Sequence, residues 1–280
     1  MAVAALATFS LFLAWVGAAV VALVVLRVGI APAMSVVFAA LIPATFWAYA
    51  LNDVGPLTTI VCVTALAALL RTSRSWSTTL VLMPMVLGLC TLATIALAPE
   101  FVAYFHGLVL KFIAAMQASI SELDPAKTDP EAMQQMMDHL KPPTELQIMG
   151  LYAVSQAMTV LFSLCLARWW QALAFNPGGF QQEFHQLKLT KLGAVLCVLG
   201  IVLVSNIQAY AVWALLFVLP MLVAGLALVH GLIAQNTKSG HWIILFYIAL
   251  AFAPNQILAI LTLLALVDSA VGFRKSKTAV

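Results

Sequence analysis

An all-α, polytopic transmembrane helical bundle of about eight spans is the fold this sequence predicts. Three observations predict it. Hydrophobic residues make up 64% of the 280 positions and charged residues only 8%, where a soluble domain carries about 25% charged residues. Mean hydropathy is +1.07. The charges also fall between long apolar runs, not within them. So few charges cannot cover a water-soluble globule, which excludes a soluble enzyme, a disordered tail and a disulfide-stapled secreted domain. A closed barrel is the other way to span lipid, but the runs lack the period-2 alternation of barrel strands.

A span needs about 20 apolar residues, and the charge-free runs supply them in order. Residues 1–26 form the first, closed by Arg27, and 28–52 the second, closed by Asp53. Residues 54–70 form a short third, closed by Arg71 and Arg74, and 75–99 the fourth. The N-terminus has no charged leader and runs past signal-peptide length, so it reads as a retained span. Residues 101–120 are apolar but carry His106 and Lys111, which favours a helix in the interface over a ninth span. Residues 122–145 are the one hydrophilic stretch, with six acids against two lysines. Within it Met133, Met137 and Leu140 recur at helical spacing, and Pro142-Pro143 ends that short helix.

The fifth span is 146–167, closed by Arg168. The run 192–229 is too long for one helix and breaks at Ser205-Asn206-Ile207-Gln208 into a sixth and a seventh. The eighth, 242–267, is closed by Asp268 and interrupted by Ala253-Pro254-Asn255-Gln256. Either two half-helices form a re-entrant hairpin, or a Pro-kinked helix crosses fully. The chain therefore reads as a single integral membrane domain over 1–280. It has N-terminal spans in 1–99, an interfacial helix and acidic extracytoplasmic segment in 100–145, and C-terminal spans in 146–272 with a cytoplasmic amphipathic loop at 168–191.

Lys and Arg mark the cytoplasmic loops of such proteins. Arg27, Arg71 with Arg74, Arg168 with Lys188 and Lys191, and Lys238 mark alternate loops. These loops are expected in the cytoplasm, with the N-terminus, Asp53 and the acidic segment outside. A full eighth crossing would put Arg274, Lys275 and Lys277 outside, against the rule; the hairpin would not.

Chemical motifs are absent. No phosphate-binding G-x-x-x-x-G-K-[ST], dinucleotide-binding, zincin or nucleophile-elbow pattern occurs. His106, His139, His185, His230 and His241 lie in separate segments, so no metal site is expected. Cys62, Cys90, Cys165 and Cys197 sit singly in apolar runs and read as small hydrophobes. No cofactor, catalytic residue or nucleic-acid partner is expected; the lipid bilayer is.

Polar groups at membrane depth are costly and mark function or interhelical glue. Asn255 and Gln256 beside Pro254 make a broken helix with two amides, the way transporters build midplane sites. They are the first candidate ligand contacts, with Gln156 and His230 behind them. Ala14, Ala18 and Ala22 recur every four residues, a face that another helix can approach closely. Arg168-Trp169-Trp170 fits an interfacial anchor. After the Asn176-Pro177-Gly178-Gly179 turn, Phe180, Phe184 and Leu187 share one face of an amphipathic helix that can lie on the surface or meet a partner.

The run from Arg168 to Gln171, then Asn176-Pro-Gly-Gly-Phe180 and Glu183-Phe184, with the ending Leu263 to Asp268 and Phe273-Arg274, resembles the YybS-like bacterial membrane proteins. That family is a domain of unknown function of bacterial inner membranes, thought to be distantly similar to the substrate-binding subunits of energy-coupling-factor (ECF) transporters. The resemblance implies a multi-pass inner-membrane protein that binds a small molecule without an ATPase of its own. It also implies docking on a partner membrane protein through the first span, where Ala14, Ala18 and Ala22 match the small-residue surface. About eight spans and the acidic insertion depart from that pattern. The alternative is a membrane scaffold or assembly factor whose surface helix, through Phe180 and Phe184, binds protein partners.

Overall fold

Charge-free runs become helices because, in hydrocarbon, a helix satisfies each backbone N–H and C=O within its own segment. The structure, a computed structural model, describes residues 2–122, 129–235 and 240–274. α1 is Ala2–Val28, α2 Ile30–Leu51, α3 Gly55–Ser73 and α4 Trp76–Leu97. α5 (Pro99–Ser121), α6 (Pro130–His139), α7 (Glu145–Phe175) and α8 (Gly179–Gln186) follow. α9 (Lys191–Ser205), a 3-10 turn (Gln208–Trp213), α10 (Ala214–Ala234), α11 (Gly240–Phe252) and α12 (Pro254–Val271) complete the chain. No strand occurs among the described residues. Seven of the described helices are long and apolar enough to cross a membrane, or eight if the bent α8–α9 pair counts as one span. The chain is an all-α, multi-pass membrane protein. Asp124 and Lys127 of the hydrophilic stretch, Lys238, Lys275, Lys277 and the side chains of Ala14 and His139 lie outside the described residues.

Local chemistry sets the helix ends. Gly29 turns the chain from α1 to α2 at φ +92°, and Gly178 opens α8 at φ +83°, both conformations that suit a residue without a Cβ. Ser75, Thr144 and Thr190 cap α4, α7 and α9 with their hydroxyl oxygens, Thr144 in a reciprocal box with Gln147. The break inside the last apolar run falls at Ala253, where Pro254 starts a new helix.

Side chains gather the helix ends into two clusters. At one, Arg71 Nη1 donates to the carbonyls of Leu26 and Arg27, 2.6 Å to the latter, closing α3 onto the end of α1. Trp76 at the start of α4 and Arg168 on α7 both donate to Glu183 on α8. The Thr190 N–H, before α9, donates to Ser77 Oγ on α4. The His185 carbonyl accepts from Arg274 beyond α12 and lies against Gly231 near the end of α10. We term this the basic end. At the other end, Asp53 accepts from Trp47 Nε1 and the Gly55 N–H, Asn52 reaches the Glu100 carbonyl, and Trp213 Nε1 donates to the Leu146 carbonyl. Asp53, Glu100 and Glu145 mark this acidic end. α1 finishes at the basic end, and α2, α3, α4, α7, α9 and α10 each join one end to the other.

Two elements do not. α5 is 23 residues long and apolar enough to cross, yet its contacts hold it at the acidic end. Glu100 meets Asn52, His106 Nε2 lies 3.2 Å from the Pro143 carbonyl, and Gln117 Nε2 donates to the Leu140 carbonyl at 2.9 Å. Pro143 and Leu140 precede α7, so these contacts place α5 beside the entrance of α7. The α11–α12 pair is a hairpin. Gly225 on α10 packs directly on the Leu261 backbone of α12, and both helices finish at His185. Neighbours that touch midway and finish together run parallel. α11 therefore carries the chain away from the basic end and α12 brings it back. Arg274 thus joins the other cations at the basic end, although α12 by itself is long and apolar enough to cross.

The core runs from Ala18 on α1 to Ala265 on α12. α7 and α10 are its most enclosed members, 56% of each spanning window being buried, against 17% for α2. Lipid offers no hydrophobic drive between helices, so close approach matters more. Gly150 accordingly sits where an added Cβ would fall 2.7 Å from the Trp213 ring.

Candidate functional site: a basic crevice

Because α3, α4, α7 and α8 all place an end at the basic end, the side chains of their connecting turns surround a shared space. This is a crevice of about 660 Å³, between Arg71, Arg74 and Trp76 on one side and Arg168, Gln186 and Lys188 on the other. A smaller recess of about 250 Å³ adjoins it, sharing Arg168 and Gln171 and adding Arg27 and Phe175. Arg27 stacks its guanidinium over the Phe175 ring at 4.7 Å, which orients the charge without neutralising it.

One carboxylate lines this space. Glu183 receives Arg168 Nε at 2.9 Å, Arg168 Nη2 in a second, shorter contact, and Trp76 Nε1 at 3.3 Å. Arg168 Nη1 also donates to Gln171 at 2.8 Å. The fork fixes α8 against α7 and uses up the acid. Arg71 spends Nη1 on the end of α1, where carbonyl dipoles favour a cation. Arg74 caps the end of α3 in a left-handed turn at φ +51° and lines the crevice. Among the described residues, neither Arg74 nor Lys188 has an ion pair. The start of α4, Ser75 to Ser77, forms part of the wall and adds the positive end of a helix dipole. The crevice therefore carries a surplus of positive charge.

The residues singled out from the sequence fall elsewhere and apart. Asn255 and Gln256 are exposed, in the first turn of α12 at the bend of the hairpin. Gln156 is buried near the acidic end, where it accepts from Thr59 Oγ1 at 2.6 Å and donates to the Gly55 carbonyl at 3.3 Å. His230 lies near the basic end. Its Nδ1 faces the Leu226 carbonyl at 2.9 Å, so that nitrogen carries the proton and Nε2 accepts from the Tyr247 hydroxyl at 3.1 Å. These four do not converge on one cavity.

Ala18 and Ala22 are wholly buried in the core, on a helix that packs chiefly on α7 and α3, so the chain itself occupies that face. Phe180 and Phe184 turn inward, Phe180 towards Trp76 and Phe184 edge-on to the His230 ring. The described residues contain no group of three or more His, Cys, Asp or Glu placed to hold a metal.

Arg27, Arg71, Arg74 and Arg168 read from the sequence as orientation signals, which conceals that they share a cavity. The available clue was arithmetic: around these loops Glu183 is the only acid. Comparison with protein-family models, curated proteins and solved structures found no match.

Proposed function

We propose that this protein is a bacterial inner-membrane component of the YybS-like kind, which binds a small molecule and assists its passage without catalysis or a motor of its own. The carrying observation is the crevice of about 660 Å³ at the basic end, within the range of small-molecule sites. Its walls come from five helices, α1, α3, α4, α7 and α8, so occupancy and helix arrangement are coupled. By the distribution of Lys and Arg, the basic end faces the cytoplasm. The contact residues are then those of the crevice, Arg74, Trp76, Gln186 and Lys188 among them.

Blocking the crevice tests this reading. Gln186 is exposed and lines it, so Gln186→Cys can carry a bulky maleimide. Native mass spectrometry of the purified wild type should show a bound small molecule, and the alkylated variant should lose it. A wild type free of any adduct, or an adduct that survives blocking, would overturn the proposal.

A further inference from the structure

The charge balance of the crevice identifies the chemistry of its occupant. Arg71, Arg74, Arg168 and Lys188 line it, and Glu183, the one acid, is held by Arg168 and Trp76. Arg74 and Lys188 are unpaired among the described residues. Like charges in a concavity walled by low-dielectric helices repel one another and raise the local potential for anions. An anion that enters relieves that repulsion. The geometry selects among anions. Guanidinium forks match oxyanions with several acceptor oxygens, and the start of α4, where Ser75 takes the Thr78 N–H, leaves the Trp76 and Ser77 N–H groups and the helix dipole to favour phosphate. A single carboxylate would leave most of these donors unused.

We propose that the basic crevice binds a phosphate-bearing anion, either the headgroup of an anionic phospholipid or a free phosphate compound. The inference rests on the crevice being the ligand site. It adds the ligand's class and two side chains that hold it, Arg74 and Lys188, which have no ion pair among the described residues.

The full chain in phosphatidylcholine nanodiscs provides the test. One arm measures binding of glycerol 3-phosphate and inorganic phosphate; the other measures, by native mass spectrometry, retention of phosphatidylglycerol over phosphatidylcholine. The double variant Arg74→Gln/Lys188→Gln should bind about tenfold more weakly, the loss expected for charged hydrogen bonds, while its melting temperature stays unchanged. Arg74→Lys with Lys188→Arg should retain binding, and added salt should weaken the wild type. Selective retention of phosphatidylglycerol without affinity for the soluble probes assigns a lipid headgroup; affinity for the soluble probes assigns a free phosphate. Equal binding by wild type and the Gln variant in both arms overturns the proposal. An uncharged adduct displaced from the crevice by the maleimide at position 186 overturns the phosphate class and leaves the small-molecule reading standing.

Discussion

Gln156 shows how an amide at depth is accommodated. It is satisfied on both sides, by Thr59 and by the Gly55 carbonyl, and so ties α7 to the first turn of α3. Gln156→Leu removes this link between the helices, but the Thr59 hydroxyl keeps the Gly55 carbonyl at 2.9 Å and that carbonyl keeps the Thr58 hydroxyl, so the protein should be destabilised by only about 1 kcal/mol. Gln156→Leu with Thr59→Val should be no less stable than Gln156→Leu alone, because the interhelical bond of the Thr59 hydroxyl is already gone. Thermal melting in detergent measures both. His185 contributes a pH dependence. Burial, then the nearby His230 and Arg274, push its pKa below the ordinary 6.5. The folded state therefore prefers the neutral ring, and the unfolded chain binds more protons as pH falls below 6.5. Stability should decline with falling pH through that range and be intact above it. His185→Gln should flatten the decline in melting temperature between neutral and mildly acid buffer.

Among the helices, α5 separates what composition can say from what it cannot. It is long and apolar enough to cross a membrane, and only its partners, Asn52, Pro143 and Leu140, place it beside the entrance of α7. A cysteine in place of Lys111, which is exposed, should react with a membrane-impermeant maleimide added outside intact cells, whereas Gln186→Cys should react only after permeabilisation. Labelling in the opposite sense would invert the orientation. The breaks were legible because their residues enforce them locally. Pro254 removes a donor, Gly178 accepts a positive φ, and Ser205 to Gln208 lead into the 3-10 turn. The direction of α12 was not legible. It follows from the contact of Gly225 with the Leu261 backbone, between residues far apart in the chain.

For the bundle as a whole, hydropathy reveals the fold because lipid imposes one rule on every segment, whereas the site arises from convergence. Arg27, Arg71, Arg74 and Arg168 each close a different apolar run, and nothing in their spacing says that α8 will bring Glu183 among them. Asn255 and Gln256 mark the bend correctly, but their amides are exposed and line neither recess of the crevice. The Arg71 bond to α1 has a consequence for biogenesis. The carbonyls of Leu26 and Arg27 are completed by a side chain 45 and 44 positions later in synthesis. While the ribosome is still making α2, the first helix has an unfinished terminus that water or an insertion factor must shield. Chains truncated before position 71 should consequently linger with the insertion machinery and be degraded, while those extending through α3 escape it.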